Sequence, residues 1–169
     1  MRLQERALTP YTPEQIARLR FQDLQVGDRF DLGERTLTAA EMIEFAARYD
    51  PQPFHLSDEG AQSHPLFERM SASGWFSALI LQSLIADFWK RTKVRGLAGA
   101  GIDEIRWVTP IYAGETLHCE MEIQMLRASA SRPERGLMTM RNTVSKADGR
   151  LATVLNITGV FAIHGEAAR

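Results

Sequence analysis

With 169 residues, 44% of them hydrophobic and 24% charged, the chain has the size and composition of one globular domain, able to bury roughly 70% of the surface its unfolded form exposes. A formal net charge of -1 leaves no basic face of the extent that nucleic-acid binding needs, and the single cysteine, Cys119, excludes both an internal disulfide framework and a zinc site built from several cysteines. The first twenty positions include six charged residues and hold no apolar signal segment, so the expected location is cytoplasmic, with neither membrane nor nucleic acid as a partner.

Taken in order, residues 1–20 are expected to form an N-terminal extension carrying one short helix. Thr12-Pro13-Glu14 starts that helix, with Thr as N-cap and Pro at its first position. A single domain is expected over 21–165 and a tail over 166–169. Gly27-Asp28 is a turn, and Arg29 to Leu37 a first strand interrupted at Gly33. Thr38-Ala39-Ala40-Glu41 has the form of a capping box ahead of the apolar face Met42, Ile43, Phe45 and Ala46. That helix ends near Tyr49, because Pro51 disfavours helical geometry at Asp50. Asp50-Pro51-Gln52-Pro53-Phe54-His55 is a turn stiffened by two prolines, and Ser57-Asp58-Glu59 opens another short helix.

Ser73 to Trp89 is the most apolar stretch, and from Trp75 onward eleven of its fifteen residues are apolar, spread around the helical wheel. Such a helix is expected to be surrounded by protein, and it is too short to cross a bilayer. After Gly96 the periodicity changes to two, with strands expected at Ala98–Val108, Thr116–Ala128, Gly136–Lys146 and Leu151–Ile163. Asp148-Gly149 between alternating runs marks a tight hairpin. Consecutive strands without helices between them pair antiparallel. The expected class is α+β, an antiparallel sheet of about five strands wrapped around one long buried helix. Gly96, Gly99 and Gly101 do not have nucleotide-loop spacing and are expected at close sheet–helix packing. His64, His118 and His164 lack metal-ligand spacing, so no metal is expected.

Two places carry candidate chemistry. Asp50 and His55 set a carboxylate and an imidazole five residues apart on a stiff backbone, a pattern suited to acid–base work, although an Asp before Pro also simply ends helices. Ser73-Gly74 lies at the start of the long helix, where free N–H groups and the helix dipole favour an oxyanion and Gly74 leaves room for a carbonyl.

Together with their surroundings these residues resemble the MaoC-like dehydratases, the hot-dog-fold family that includes the (R)-specific enoyl-CoA hydratases. The resemblance runs through Phe21-Gln-Asp-Leu-Gln-Val-Gly-Asp28, the Asp-x4-His of Asp50 and His55, Ala72-Ser73-Gly74-Trp75, Gly101 to Pro110 and Ala113-Gly-Glu-Thr116. It implies a hot-dog fold, Asp50 and His55 as the catalytic pair, and Gly74 as the oxyanion donor. The implied reaction is hydration of a trans-2-enoyl-CoA to an (R)-3-hydroxyacyl-CoA, or the reverse. Coenzyme A enters as part of the substrate, no separate cofactor is implied, and the protein is expected to be a homodimer or higher oligomer. Three departures stand out. Gln52 replaces a frequent Asn, Ser73-Gly74-Trp75 replaces His-Gly-Met, and Gln82 stands by count where members place a helix Ser. Ser73, Trp75 and Gln52 are therefore candidate substrate-binding positions. A hot-dog thioesterase and a non-catalytic acyl-thioester-binding subunit remain the alternatives.

Overall fold

A computed structural model of the chain describes residues 7–163; the expected tail at 166–169, His164 and the first six residues lie outside it. Helices α1 (Pro13–Arg18), α2 (Ala39–Tyr49), α3 (Pro53–Leu56), α4 (Asp58–Ala61) and α5 (Gly74–Lys90) accompany strands β1 (Arg29–Thr36), β2 (Gly96–Trp107), β3 (Thr116–Ala128), β4 (Arg135–Lys146) and β5 (Leu151–Ala162). The strands form one antiparallel sheet in the order β1-β3-β4-β5-β2. This is the expected hot-dog architecture, a five-stranded sheet packed on a long helix.

Local chemistry sets the boundaries. Thr12 and Thr38 each accept from the backbone of the third helical residue, and Gln15 and Glu41 return the bond to the cap backbone. Gly33 takes φ +97° and the β1–β3 register slips between Asp31 and Gly33, so the interruption is a bulge that curls the edge of the sheet. Gly149, at φ +79°, donates to the Lys146 carbonyl and closes the β4–β5 hairpin.

No residue of α1 is buried, but Ile16 packs against the core and the residues flanking the helix tie it to the body. Tyr11 stacks on Phe30 with ring centroids 5.6 Å apart, Leu19 is buried, and the Thr9 N–H donates to the Arg29 carbonyl.

Two expectations need correction. Within the single chain α5 is not enclosed on every side. Ser77, Ala78, Leu81, Ile85 and Phe88 form the buried stripe against the sheet, while Trp75 and Leu79 are each 56% exposed. A helix apolar around its circumference contains such a stripe without revealing which one meets the sheet. The glycines of β2 are not packing contacts either. β2 is an edge strand exposed over most of its length, and a Cβ added at Gly99 or Gly101 would meet nothing within 4 Å. Two of the three register slips against β5 fall at these glycines, between Gly96 and Ala98 and between Gly99 and Gly101, so the glycines let the edge bulge and bend.

Cys119 lies on the helix-facing side of β3 at 1% exposure. Burial, reinforced by the Asp31 carboxylate, pushes its thiol up to about 12 from an ordinary 9.0. The folded chain is expected to resist iodoacetamide at pH 8, while the guanidinium-unfolded chain alkylates fully; mass spectrometry reads the difference. The unfolded thiol ionises first, so this contribution to stability is intact below about pH 9 and lost as pH climbs toward 12. Rapid native alkylation would show that β3 opens readily.

Candidate functional site

The site is assembled where four short segments meet at the N-terminus of α5. α2 stops because Pro51 forces Asp50 out of helical geometry, to φ -151° and ψ 65°. The Asp50 N–H still donates to the Ala46 carbonyl at 2.9 Å, so the residue is anchored by its backbone while its carboxylate turns away from the helix. The stretch expected to be a turn through His55 includes a helical turn: α3 begins at Pro53, where the fixed φ suits the first helical position. His55 thereby sits on a helix that faces back toward Asp50.

His55 is 7% exposed and packed edge-on to Phe54 at 4.5 Å and against Phe67 at 6.1 Å. Its Nδ1 lies 2.8 Å from the Ser71 carbonyl oxygen. A carbonyl only accepts, so the hydrogen-bond network assigns the ring proton to Nδ1. Nε2 then faces the Asp50 carboxylate, 3.5 Å from Oδ2, and in the neutral ring it carries the lone pair. Ser73 occupies the N-cap position of α5, yet its side chain makes no capping bond. Its hydroxyl instead donates to Asp50 Oδ2 at 2.7 Å.

The Ser71–Ser73 segment is itself held in place. The Ser71 N–H donates to the Phe54 carbonyl, the Ala72 N–H donates to the Ile111 carbonyl, and Ser71 forms a β-bridge with Tyr112. One short extended segment therefore fixes the tautomer of His55, orients Asp50, and delivers the chain into α5 at Gly74. The first N–H groups of α5 have no intrahelical acceptor, as at any helix start.

These groups open into a cavity of about 480 Å³ lined by Asp50, His55, Gly74, Trp75 and Ser77, with Leu66, Phe67, Trp107, Pro110 and Ile111 among its apolar walls. The structure thus brings Asp50, His55, Gly74 and Trp75 together, with buried Ser73 immediately behind Asp50. It leaves Gln52 outside. The Gln52 backbone serves the α3 start, donating to the Asp50 carbonyl and accepting from the His55 N–H, while the residue as a whole is exposed to solvent. Gln82 is likewise exposed and absent from the lining.

Ser77 and Thr153 form a hydroxyl pair in the cavity wall, 3.4 Å apart, with the Ser77 hydroxyl donating to the Gly74 carbonyl. Trp107 lies directly over Gly74, where a Cβ would sit 2.4 Å from the indole. Sequence reading did not single out Ser71, Ser77, Trp107 or Thr153. Trp107 and Thr153 face each other across β2 and β5, and no local pattern marks such a pair. Among the described residues no group of three or more His, Cys, Asp or Glu is placed to hold a metal, and no helix is long and apolar enough to cross a membrane.

Known proteins share this fold. A family model described as MaoC like domain matches residues 21–147. The crystal structure of a MaoC-like dehydratase from Rhodospirillum rubrum is similar at TM-score 0.74 and 33% identity, over 86% of this chain and 97% of that one. The (R)-hydratase from A. caviae involved in PHA biosynthesis is similar at TM-score 0.64 and 25% identity, over 82% and 97% of the two chains. Protein MaoC of Klebsiella aerogenes is 25% identical over 101 residues, 60% of this chain, and the chain spans only 29% of the length of that relative.

Proposed function

The chain belongs to the MaoC-like domain family, and from that premise we propose that it is a hydro-lyase, adding water to a trans-2-enoyl-CoA to give an (R)-3-hydroxyacyl-CoA, or removing it. The observation that carries this reading is the convergence of two acceptors. With its proton on Nδ1, His55 offers a lone pair at Nε2, and the Asp50 carboxylate stands 3.5 Å away. A water molecule has two O–H groups to give and is complementary to that pair.

Such a water, held by Asp50 and His55, attacks C3 of the enoyl group. One of its protons passes to the dyad, C3 keeps the hydroxyl, and the dyad returns a proton to C2 on the same face, so the addition is syn. As C3 is attacked, charge moves onto the thioester oxygen, which the Gly74 N–H and the dipole of α5 stabilise. The mostly apolar walls lower the polarity of the medium in which these groups act.

The exposed edge of β2, with Trp75, Leu79, Ile102, Trp107 and Val108 also exposed nearby in the fold or sequence, supports the proposal that a second copy pairs here, as edge strands left bare invite pairing.

The test follows two signals separately in the presence of crotonyl-CoA and of longer or branched enoyl-CoAs. Loss of the conjugated enoyl absorbance without release of free thiol is expected. Thiol release in its place would indicate a thioesterase, and silence on both channels would leave an acyl-thioester binder.

A further inference from the structure

The stabilisation of the thioester oxygen need not rest on the Gly74 N–H alone. Most side-chain donors around the cavity are already committed. The Ser73 hydroxyl serves Asp50, that of Ser77 serves the Gly74 carbonyl, and that of Thr109 serves the Leu151 carbonyl. Thr153 is engaged with Ser77. The two indole N–H groups, of Trp75 and Trp107, remain without an acceptor among the described residues.

Their placements differ. A Cβ built on Gly74 would lie 2.4 Å from Cε2, 2.6 Å from Nε1 and 2.7 Å from Cδ2 of Trp107. The five-membered ring of Trp107 thus sits against the Gly74 backbone. A Cβ is about 2.5 Å from the nitrogen of its own residue. Trp107 Nε1 is therefore no more than about 5 Å from the Gly74 nitrogen, whatever the direction between them. An oxygen about 2.9 Å from each of two donors spans a separation of this size. Trp75 meets the ring edge-on at 5.4 Å, and the backbone beside it is anchored where the Val108 N–H donates to the Ala152 carbonyl.

Building on the hydration reading, we infer that Trp107 is a second oxyanion donor, its indole N–H meeting the same thioester oxygen as the Gly74 N–H. The pairing also accounts for the glycine, since any side chain at position 74 would displace the indole that completes the site.

Trp107→Phe keeps an aromatic ring over Gly74 and removes the N–H. It is expected to lower kcat on crotonyl-CoA about 10²-fold, the low end for loss of one oxyanion donor, with KM changed only a few-fold and the thermal midpoint close to wild type. The second readout needs no turnover. In an Asp50→Asn background, the carbonyl stretch of bound crotonyl-CoA, read by Raman difference spectroscopy, is expected below its value in water. Trp107→Phe should move it part of the way back. Trp75→Phe is expected to alter KM between acyl chains and leave the carbonyl frequency in place.

A Trp107→Phe enzyme with wild-type kcat and carbonyl frequency overturns the assignment and leaves hydration standing. So does a frequency that responds to Trp75→Phe instead. A wild type that binds enoyl-CoA without hydrating it, yet shows the Trp107-dependent shift, keeps the donor and discards the hydratase. A chain that neither binds nor hydrates any enoyl thioester overturns both.

Discussion

Asp50→Asn is expected to lower kcat/KM for enoyl-CoA hydration about 10³-fold, within the usual range for loss of a positioned acid or base, while leaving the fold intact. The substitution is nearly isosteric. The amide oxygen it introduces can still accept from the Ser73 hydroxyl, which bonds Asp50 Oδ2 at 2.7 Å in the native site. It cannot take a proton from water. His55→Ala should reduce activity to a similar degree at a cost in stability. It removes a ring from the Phe54–Phe67 cluster and strips the Ser71 carbonyl of its donor, and a buried acceptor left unpaired costs about 1–3 kcal/mol. The double variant should lose little more than either single one, because two groups holding one water act as a unit. Ser73→Ala removes the bond that orients Oδ2 and is expected to cost about tenfold, a positioning effect. Steady-state kinetics with crotonyl-CoA, beside a thermal melt of each variant, provides the check. An Asp50→Asn protein retaining more than about a tenth of wild-type turnover would remove Asp50 from the chemistry.

Gly60→Ala, at a residue with no place in the cavity lining, is expected to reduce kcat/KM about 10²-fold, the loss that a misplacement of about 1 Å in a catalytic group can produce. A Cβ at Gly60 would lie 2.1 Å from the Pro53 carbonyl oxygen and 2.5 Å from its carbon. Both are backbone atoms of the first residue of α3, so no rotamer change relieves the clash. Either α4 moves out or α3 moves, and α3 carries His55. His55 and Phe54 both ride on α3, and the ring's bond to the Ser71 carbonyl is only 2.8 Å long, so a displaced α3 breaks that bond and pulls Nε2 away from Asp50. The thermal midpoint should fall as well, and Gly60→Ser should behave like the alanine variant, because the obstruction begins at Cβ. Full activity in Gly60→Ala would show that α3 and α4 part without disturbing the dyad.

The elements were readable where their hydrogen bonds close within a few residues. Thr12 with Gln15, Thr38 with Glu41 and the Asp148-Gly149 hairpin are of this kind, and each forms as its local spelling requires. Asp50 and His55 were readable as a pair for a related reason. Two prolines fix the backbone between them, so their juxtaposition is nearly a local property, and the family resemblance supplied the role that spacing alone left open. Gly74 followed from its position at the start of a long apolar run.

The remainder depends on what lies across the fold. Ser73 makes no capping bond because a carboxylate from the end of α2 is within its reach, and Gln52 lies exposed outside the cavity lining. Gly60 matters through Pro53, and Trp107 through Gly74, partners fixed only once α3 has packed on α4 and β2 has paired with β5. The apolar circumference of α5 shows the same limit. Its residues alone dictate that this helix must be covered, because water cannot be left against so many large side chains. Only packing selects the stripe from Ser77 to Phe88 for the sheet and leaves Trp75 and Leu79 outward. Burial is a nearly additive property of residues, whereas a facing partner is a property of pairs brought together from distant parts of the chain.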